Sequence, residues 1–195
     1  MDNHIEWLSR PKRPRFERID WQSCPEFIRK AFSRWKPLYQ FVGDTPLRFV
    51  FRDSWLFHVN PGGAWGIGPV CDLASIPWWI PPHLVSRNTK TNHLDIGALV
   101  HDLIHLGCAD FPGVRTRRER ARLADAVMVA LWRNCLPDDA GWWQRTKLTR
   151  KYWGVRVAAL VLFRPDPANR KPEWITITDL HNETKPEVEN DENDD

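Results

Sequence analysis

No stretch of this chain is apolar for long enough to cross a bilayer as a helix. The longest apolar run, Val157 to Phe163, is seven residues and meets Arg164, against about 20 for a membrane helix. The four cysteines, at 24, 71, 108 and 135, form no CxxC pair. That argues against a zinc-cysteine site and leaves reduced, partly buried thiols of a reducing compartment. The start reads Met-Asp-Asn-His, with charge and Pro where a signal peptide carries its apolar segment. Internal repeats are lacking as well. These absences predict one soluble, intracellular domain.

What the chain does have is aromatic bulk and an uneven charge. Twelve Trp and nine Phe in 195 residues, 42% of them hydrophobic, suffice to close a core. The formal charge of +3 hides a −6 tail, since residues 181–195 hold seven acids and one Lys. The rest of the chain, 1–180, with 27 basic and 18 acidic side chains, carries +9. The tail has almost nothing to bury, so 181–195 is expected to be disordered. Residues 1–20 are basic and contain Pro11 and Pro14, which suggests an arm with no structure of its own. The domain proper is then 21–180.

Periodicity divides this domain in two. In the first half a short helix is expected over Glu26–Trp35, followed by a hairpin of Leu47–Arg52 and Ser54–Val59 turning at Asp53. Asn60-Pro-Gly-Gly reads as a turn, with a further strand over Trp65–Val70. The second half reads as three helices. One runs from Asn92 to Leu106 and exits at Gly107. The next opens on the capping box Thr116-Arg-Arg-Glu119, with apolar positions at 124, 127, 128, 131 and 135. The last starts at Asp138 or Asp139 and carries Leu148, Tyr152, Val155, Ala159 and Leu162. A final strand over Trp174–Thr178 returns to the sheet. The fold class is α+β: a small antiparallel sheet from the N-terminal half packed on a three-helix C-terminal bundle.

Three places carry chemistry. His101 and His105 are four apart on a helix, so both imidazoles leave one face a turn apart and can reach one metal, as in HExxH sites. Here Asp102 stands for the Glu, one methylene shorter. Two such His also occur as partly buried residues bonded to backbone or water. Asp125 lies among Ala121, Met128, Val129 and Trp132, where an unpaired carboxylate costs several kcal/mol. Its partner is a metal, or one of Arg115, Arg117, Arg118 and Arg122. In Cys71-Asp72-Leu-Ala-Ser75-Ile-Pro77, Asp72 and Ser75 suit an Asx turn or the cap of a short helix as readily as a ligand role.

The order of these motifs is informative. Asp72-Leu-Ala-Ser-Ile-Pro77, Ala98-Leu-Val-His-Asp102, Ala124-Asp125 and Lys151-Tyr-Trp-Gly-Val-Arg156 together resemble the domain of unknown function 1353 family, over about residues 45–163. The resemblance implies a phage or prophage protein, located in the bacterial host cytoplasm or associated with the virion. Cys71 stands where the family has Thr, and His105 where it has an aromatic residue, commonly Tyr. A site shared across the family would therefore consist of Asp72, His101, Asp102 and Asp125.

Two functions follow with similar weight. In one, a metal-dependent hydrolase, Asp72, His101 and Asp125, with His105 as a further candidate, hold a divalent ion such as zinc, and Asp102 shuttles a proton. In the other, a non-catalytic phage structural or host-protein-binding component, the cluster is a buried polar network. Exposed Trp among Trp78, Trp79, Trp142 and Trp143 would then serve a phage or host partner. Nucleic acid is a weaker third reading, on Arg115, Arg117, Arg118, Arg120 and Arg122.

Overall fold

The computed structural model describes residues 3–11, 14–32, 37–62, 67–72, 92–134, 136, 141–142, 145–146, 149 and 174–182. Among them are seven strands: β1 (Ile5–Ser9), β2 (Arg15–Ile19), β3 (Leu38–Val42), β4 (Leu47–Phe51), β5 (Trp55–Val59), β6 (Val70–Cys71) and β7 (Ile175–Asp179). Three α-helices accompany them: α1 (Glu26–Ala31), α2 (Asn92–His105) and α3 (Arg117–Asn134). The class is α+β, but with two antiparallel sheets where one was expected. Their orders are β1-β4-β5-β7 and β2-β3-β6.

The hairpin forms as the alternation requires. Leu47, Phe49 and Phe51 of β4 turn inward opposite Val59, Phe57 and Trp55 of β5. Phe49 and Phe57 stack with centroids 4.7 Å apart. The turn is made without glycine: Arg52 and Asp53 both take positive φ, 54° and 53°. The Arg52 guanidinium donates to Asn3 Oδ1 at 2.7 Å, which ties the turn to the chain start. β7 pairs with β5 in the register Val59↔Ile175 to Trp55↔Asp179.

The described residues of the segment 1–20 are not an unstructured arm. β1 pairs with β4 from Ile5↔Phe51 onward, and β2 pairs with β3 from Arg15↔Val42 to Ile19↔Leu38. The physical reason is that their apolar residues, Ile5, Trp7, Phe16 and Ile19, are too few to mark a strand locally. They pack against partners far along the chain, Trp7 on Phe49 at 5.3 Å and Phe16 on Phe41 at 5.6 Å. Helix α1 stops at Ala31, with Phe32 already extended. The expected strand over Trp65–Val70 shrinks to Val70–Cys71, because Gly68 and Pro69 precede it and the Pro69 carbonyl accepts from the Phe41 N–H (2.8 Å). Residues 63–66 lie outside the described set.

Both described C-terminal-half helices end as their sequences dictate. Thr116 Oγ1 accepts from the Glu119 N–H at 3.2 Å, which caps α3. Gly107 leaves α2 with φ 81°, while the Gly107 and Cys108 N–H groups reach the Ile104 and Leu103 carbonyls, both at 3.0 Å. This is a Schellman ending, for which Gly suits the left-handed position. The third helix of the expected bundle falls mostly on residues outside the described set, as do Ser75, Trp78, Trp79, Trp143 and the tail beyond Asn182.

Helices α2 and α3 pack closely through Gly97. A Cβ placed there would lie 2.7 Å from the Trp132 indole and 3.1 Å from the Met128 carbonyl. A mid-helix glycine costs about 1 kcal/mol against alanine, and the close approach is what that cost sustains. Gly97→Ala is expected to forfeit about 0–2 kcal/mol net, since an overpacking cost of about 1–3 kcal/mol is set against a propensity gain of about 1 kcal/mol. Urea unfolding measures this, and a stabilised variant would show that the helices separate without penalty. Phe111, in the α2–α3 connection, meets Trp55 at 5.6 Å and Phe57 at 5.7 Å, which docks the helix pair on the hairpin.

Candidate metal centre

Four ionisable side chains are buried where β6 ends against the helix pair: Asp72, His101, Asp102 and Asp125. Strand β6 pairs with β3 through Tyr39↔Cys71, so the next residue, Asp72, is delivered to the α2 surface. Its backbone N–H donates to Asp102 Oδ2 at 3.3 Å. His101 follows Gly97 by one turn of α2 and therefore leaves the same helix face, toward α3. Its Nε2 lies 3.3 Å from Asp125 Oδ1, and its Nδ1 lies 3.3 Å from Asp102 Oδ1. The imidazole, 0% exposed, thus sits between two carboxylates. One turn on, the His105 ring tilts against His101 with centroids 4.3 Å apart.

Three of these groups converge. One donor atom each from His101, His105 and Asp125 lies within 4.8 Å of the other two, so the trio could hold a metal ion. Zinc bonds of about 2.0–2.1 Å at the tetrahedral angle place neighbouring donors about 3.3 Å apart. The His101–Asp125 pair already has that spacing, with Nε2 and Oδ1 at 3.3 Å. Two imidazoles and a carboxylate are also a donor set that zinc accepts.

The electrostatics follow from burial and charge. Desolvation works to neutralise His101, but the hydrogen bonds and charges of Asp102 and Asp125 outweigh it and raise its pKa to about 9. Asp102 is pushed up to about 6, by burial first and by the Asp72 charge second, with His101 pulling the other way. His105 is held well below the ordinary histidine range by burial, then by the His101 and Arg117 charges. It is therefore a neutral imidazole, the form that binds metal.

The site expected from sequence is met in part. His101, His105 and Asp125 come together as the donor trio. Asp72 lies on the Asp102 side and is not part of the trio. Asp102 meets Nδ1, across the ring from Nε2 and Asp125. Asp125, expected to need a metal or an Arg, has His101 as a partner. Gly97, which no motif flagged, sets the helix spacing. Its signal was an interior glycine inside the apolar run Ile96-Gly-Ala-Leu-Val100.

Other candidates are weaker. Ser54 Oγ is 3.4 Å from His181 Nε2, but the hydroxyl donates to the Arg52 carbonyl at 2.9 Å. The Asp179 oxygens accept from the His181 backbone N–H and the Asn182 amide. The arginine run does not make one face: Arg120 turns inward to Asp110 at 2.9 Å, while Arg115, Arg117, Arg118 and Arg122 are exposed. Trp142 is 67% exposed. Cys24, Cys71 and Cys108 are buried thiols, and burial pushes the Cys108 pKa up to about 12. No described helix is long and apolar enough to cross a membrane. No family model matches the chain, and no curated protein or solved structure does either.

Proposed function

We propose that this chain is a metal-dependent hydrolase with one divalent ion, zinc or a similar metal, held by His101, His105 and Asp125. The observation that carries the reading is the convergence, within 4.8 Å, of donor atoms from three side chains of metal-ligand type on two helices. When bound, such an ion acts as a Lewis acid and lowers the pKa of its water toward neutrality. The chain's own groups supply the rest. His101 and His105 would bind as neutral imidazoles, so of the three ligands only Asp125 offsets the charge of the ion, and the Gly97 contact sets the approach of their helices. The substrate would be a cell-wall peptide, another amide or a phosphoester. The motif resemblance to the domain of unknown function 1353 family supports placing the protein in a phage or prophage, acting in the host cytoplasm or with the virion.

The test is bound metal by mass spectrometry on protein purified without a His tag. About one ion per chain is expected, lost in His101→Ala, His105→Ala and Asp125→Ala and kept in Asp72→Ala. Wild-type protein that neither carries nor takes up zinc would end the hydrolase reading.

A second reading draws on the same burial. His101, bracketed by Asp102 and Asp125 at 3.3 Å each, is electrostatically satisfied by the protein alone. The cluster then serves as a polar network fixing α2 to α3 and β6. The protein would be a non-catalytic phage structural or host-binding component, with Trp142 at its exposed surface. Absence of metal uptake would favour this reading.

A further inference from the structure

We infer that Asp102 is the positioning carboxylate of this centre, neither a metal ligand nor a proton shuttle: its two oxygens clamp His101 Nδ1 to the Asp72 backbone and so aim His101 Nε2 at Asp125. The inference rests on the metal reading above for its consequence, and on hydrogen-bond geometry for its substance.

The two oxygens have separate work. Oδ1 lies 3.3 Å from His101 Nδ1, and Oδ2 accepts from the Asp72 N–H at 3.3 Å. Adjacent residues on a helix diverge by about 100°, so neighbouring side chains do not ordinarily face each other. Here the His101 ring is turned sideways onto Asp102, and the Asp72 amide holds Asp102 in place to receive it. With Asp102 only 3% exposed and His101 0%, water does not compete for either group. Nε2 faces Asp125, a member of the donor trio, at 3.3 Å, whereas Asp102 lies outside the trio; when a metal takes the place of the Nε2 hydrogen, the Asp102 carboxylate holds the remaining hydrogen on Nδ1 and fixes the ring direction.

An Asp suits this better than the Glu of an HExxH motif. Its shorter side chain cannot reach around the ring to Nε2, but it spans the gap between the helix and the end of β6. Through that link the strand sets the orientation of a ligand it does not itself contribute. Asp72 acts through its peptide N–H, so its side chain is dispensable for the clamp.

Two-bond proton–nitrogen correlation spectra of the 15N-labelled full chain, with and without zinc, decide the matter. In the metal-free wild type a slowly exchanging Nδ1–H on His101 is expected; with zinc, the metal is expected on Nε2 and the hydrogen still on Nδ1. Asp102→Asn keeps the volume but can accept only one of the two hydrogen bonds. Its Nδ1–H is expected to exchange rapidly, and zinc affinity to fall about 10- to 100-fold. Asp72→Ala is expected to keep the Nδ1–H signal. Zinc on Nδ1, or an Nδ1 without hydrogen in the metal-free wild type, would overturn the assignment. So would an unchanged Nδ1–H and zinc affinity in Asp102→Asn. Should the wild type bind no zinc, the hydrolase proposal fails, and the metal-free Nδ1–H comparison alone still judges the role of Asp102.

Discussion

Replacing His101 with Ala is expected to lower the unfolding free energy by about 3–5 kcal/mol, the usual cost of removing one member of a buried ionic group. His101 is the cation between Asp102 and Asp125, which are 3% and 6% exposed. Asp72, also 6% exposed, adds its charge to the same neighbourhood. Without the imidazolium these carboxylates must take up protons or admit water. Against a total of about 5–15 kcal/mol for a domain, the loss is large enough to unfold a marginal protein. Urea midpoints at pH 7 in chelator measure it. The informative comparison is a variant with His101→Leu, Asp102→Leu and Asp125→Leu together. Removing all three charges is expected to cost far less than removing His101 alone, since the penalty lies in unpaired charge. A loss below about 1 kcal/mol in His101→Ala would mean that the carboxylates do not depend on it.

The second large effect is a pH dependence of the metal-free protein that added zinc cancels. In the metal-free protein the pKa of His101 is raised from 6.5 to about 9. A raised folded-state pKa contributes stability that is complete below the unfolded value and is lost as pH climbs through the folded one. Metal-free stability should therefore fall between about pH 6.5 and 9, by roughly 3 kcal/mol at about 1.4 kcal/mol per pH unit. Asp102 has the same sign in a lower window. Its pKa is raised from 3.8 to about 6, so its contribution is complete below 3.8 and disappears by about pH 6. Zinc must displace the Nε2 proton of His101, whereas His105 is already neutral. Apparent zinc affinity should then rise about tenfold per pH unit up to about pH 9 and level off above it. Melting temperatures in chelator should decline from pH 7 to 9 while the increment from zinc grows. A zinc increment that is flat with pH would show that no proton leaves His101 on binding.

Much of this architecture was legible because its signals are local. The alternation in Leu47–Phe51 and Trp55–Val59 fixes which side chains turn inward. The Thr116–Glu119 spacing places the start of α3, and Gly107 places the end of α2. The short strands β1, β2 and β3 were not legible in this way. Each packs only a few apolar residues toward the core, and each is stabilised by a strand distant in sequence, so neither composition nor period marks it. Basic residues and Pro11 and Pro14 made the segment 1–20 look like an arm, although Ile5, Trp7 and Phe16 pack into the sheets.

The site divides along the same line. Sequence alone determined that His101 and His105 share a helical face, because a four-residue spacing on a helix admits no other arrangement. It also determined that Asp125, set among apolar neighbours, needs a partner. Only the tertiary structure decided who that partner is. The packing of α2 on α3 through Gly97 and Trp132 sets His101 Nε2 against Asp125, and the pairing of β6 with β3 brings the Asp72 amide to Asp102. Such contacts depend on how far apart two elements lie and how they are rotated. Those quantities come from summed packing across the whole core, and no short motif encodes them.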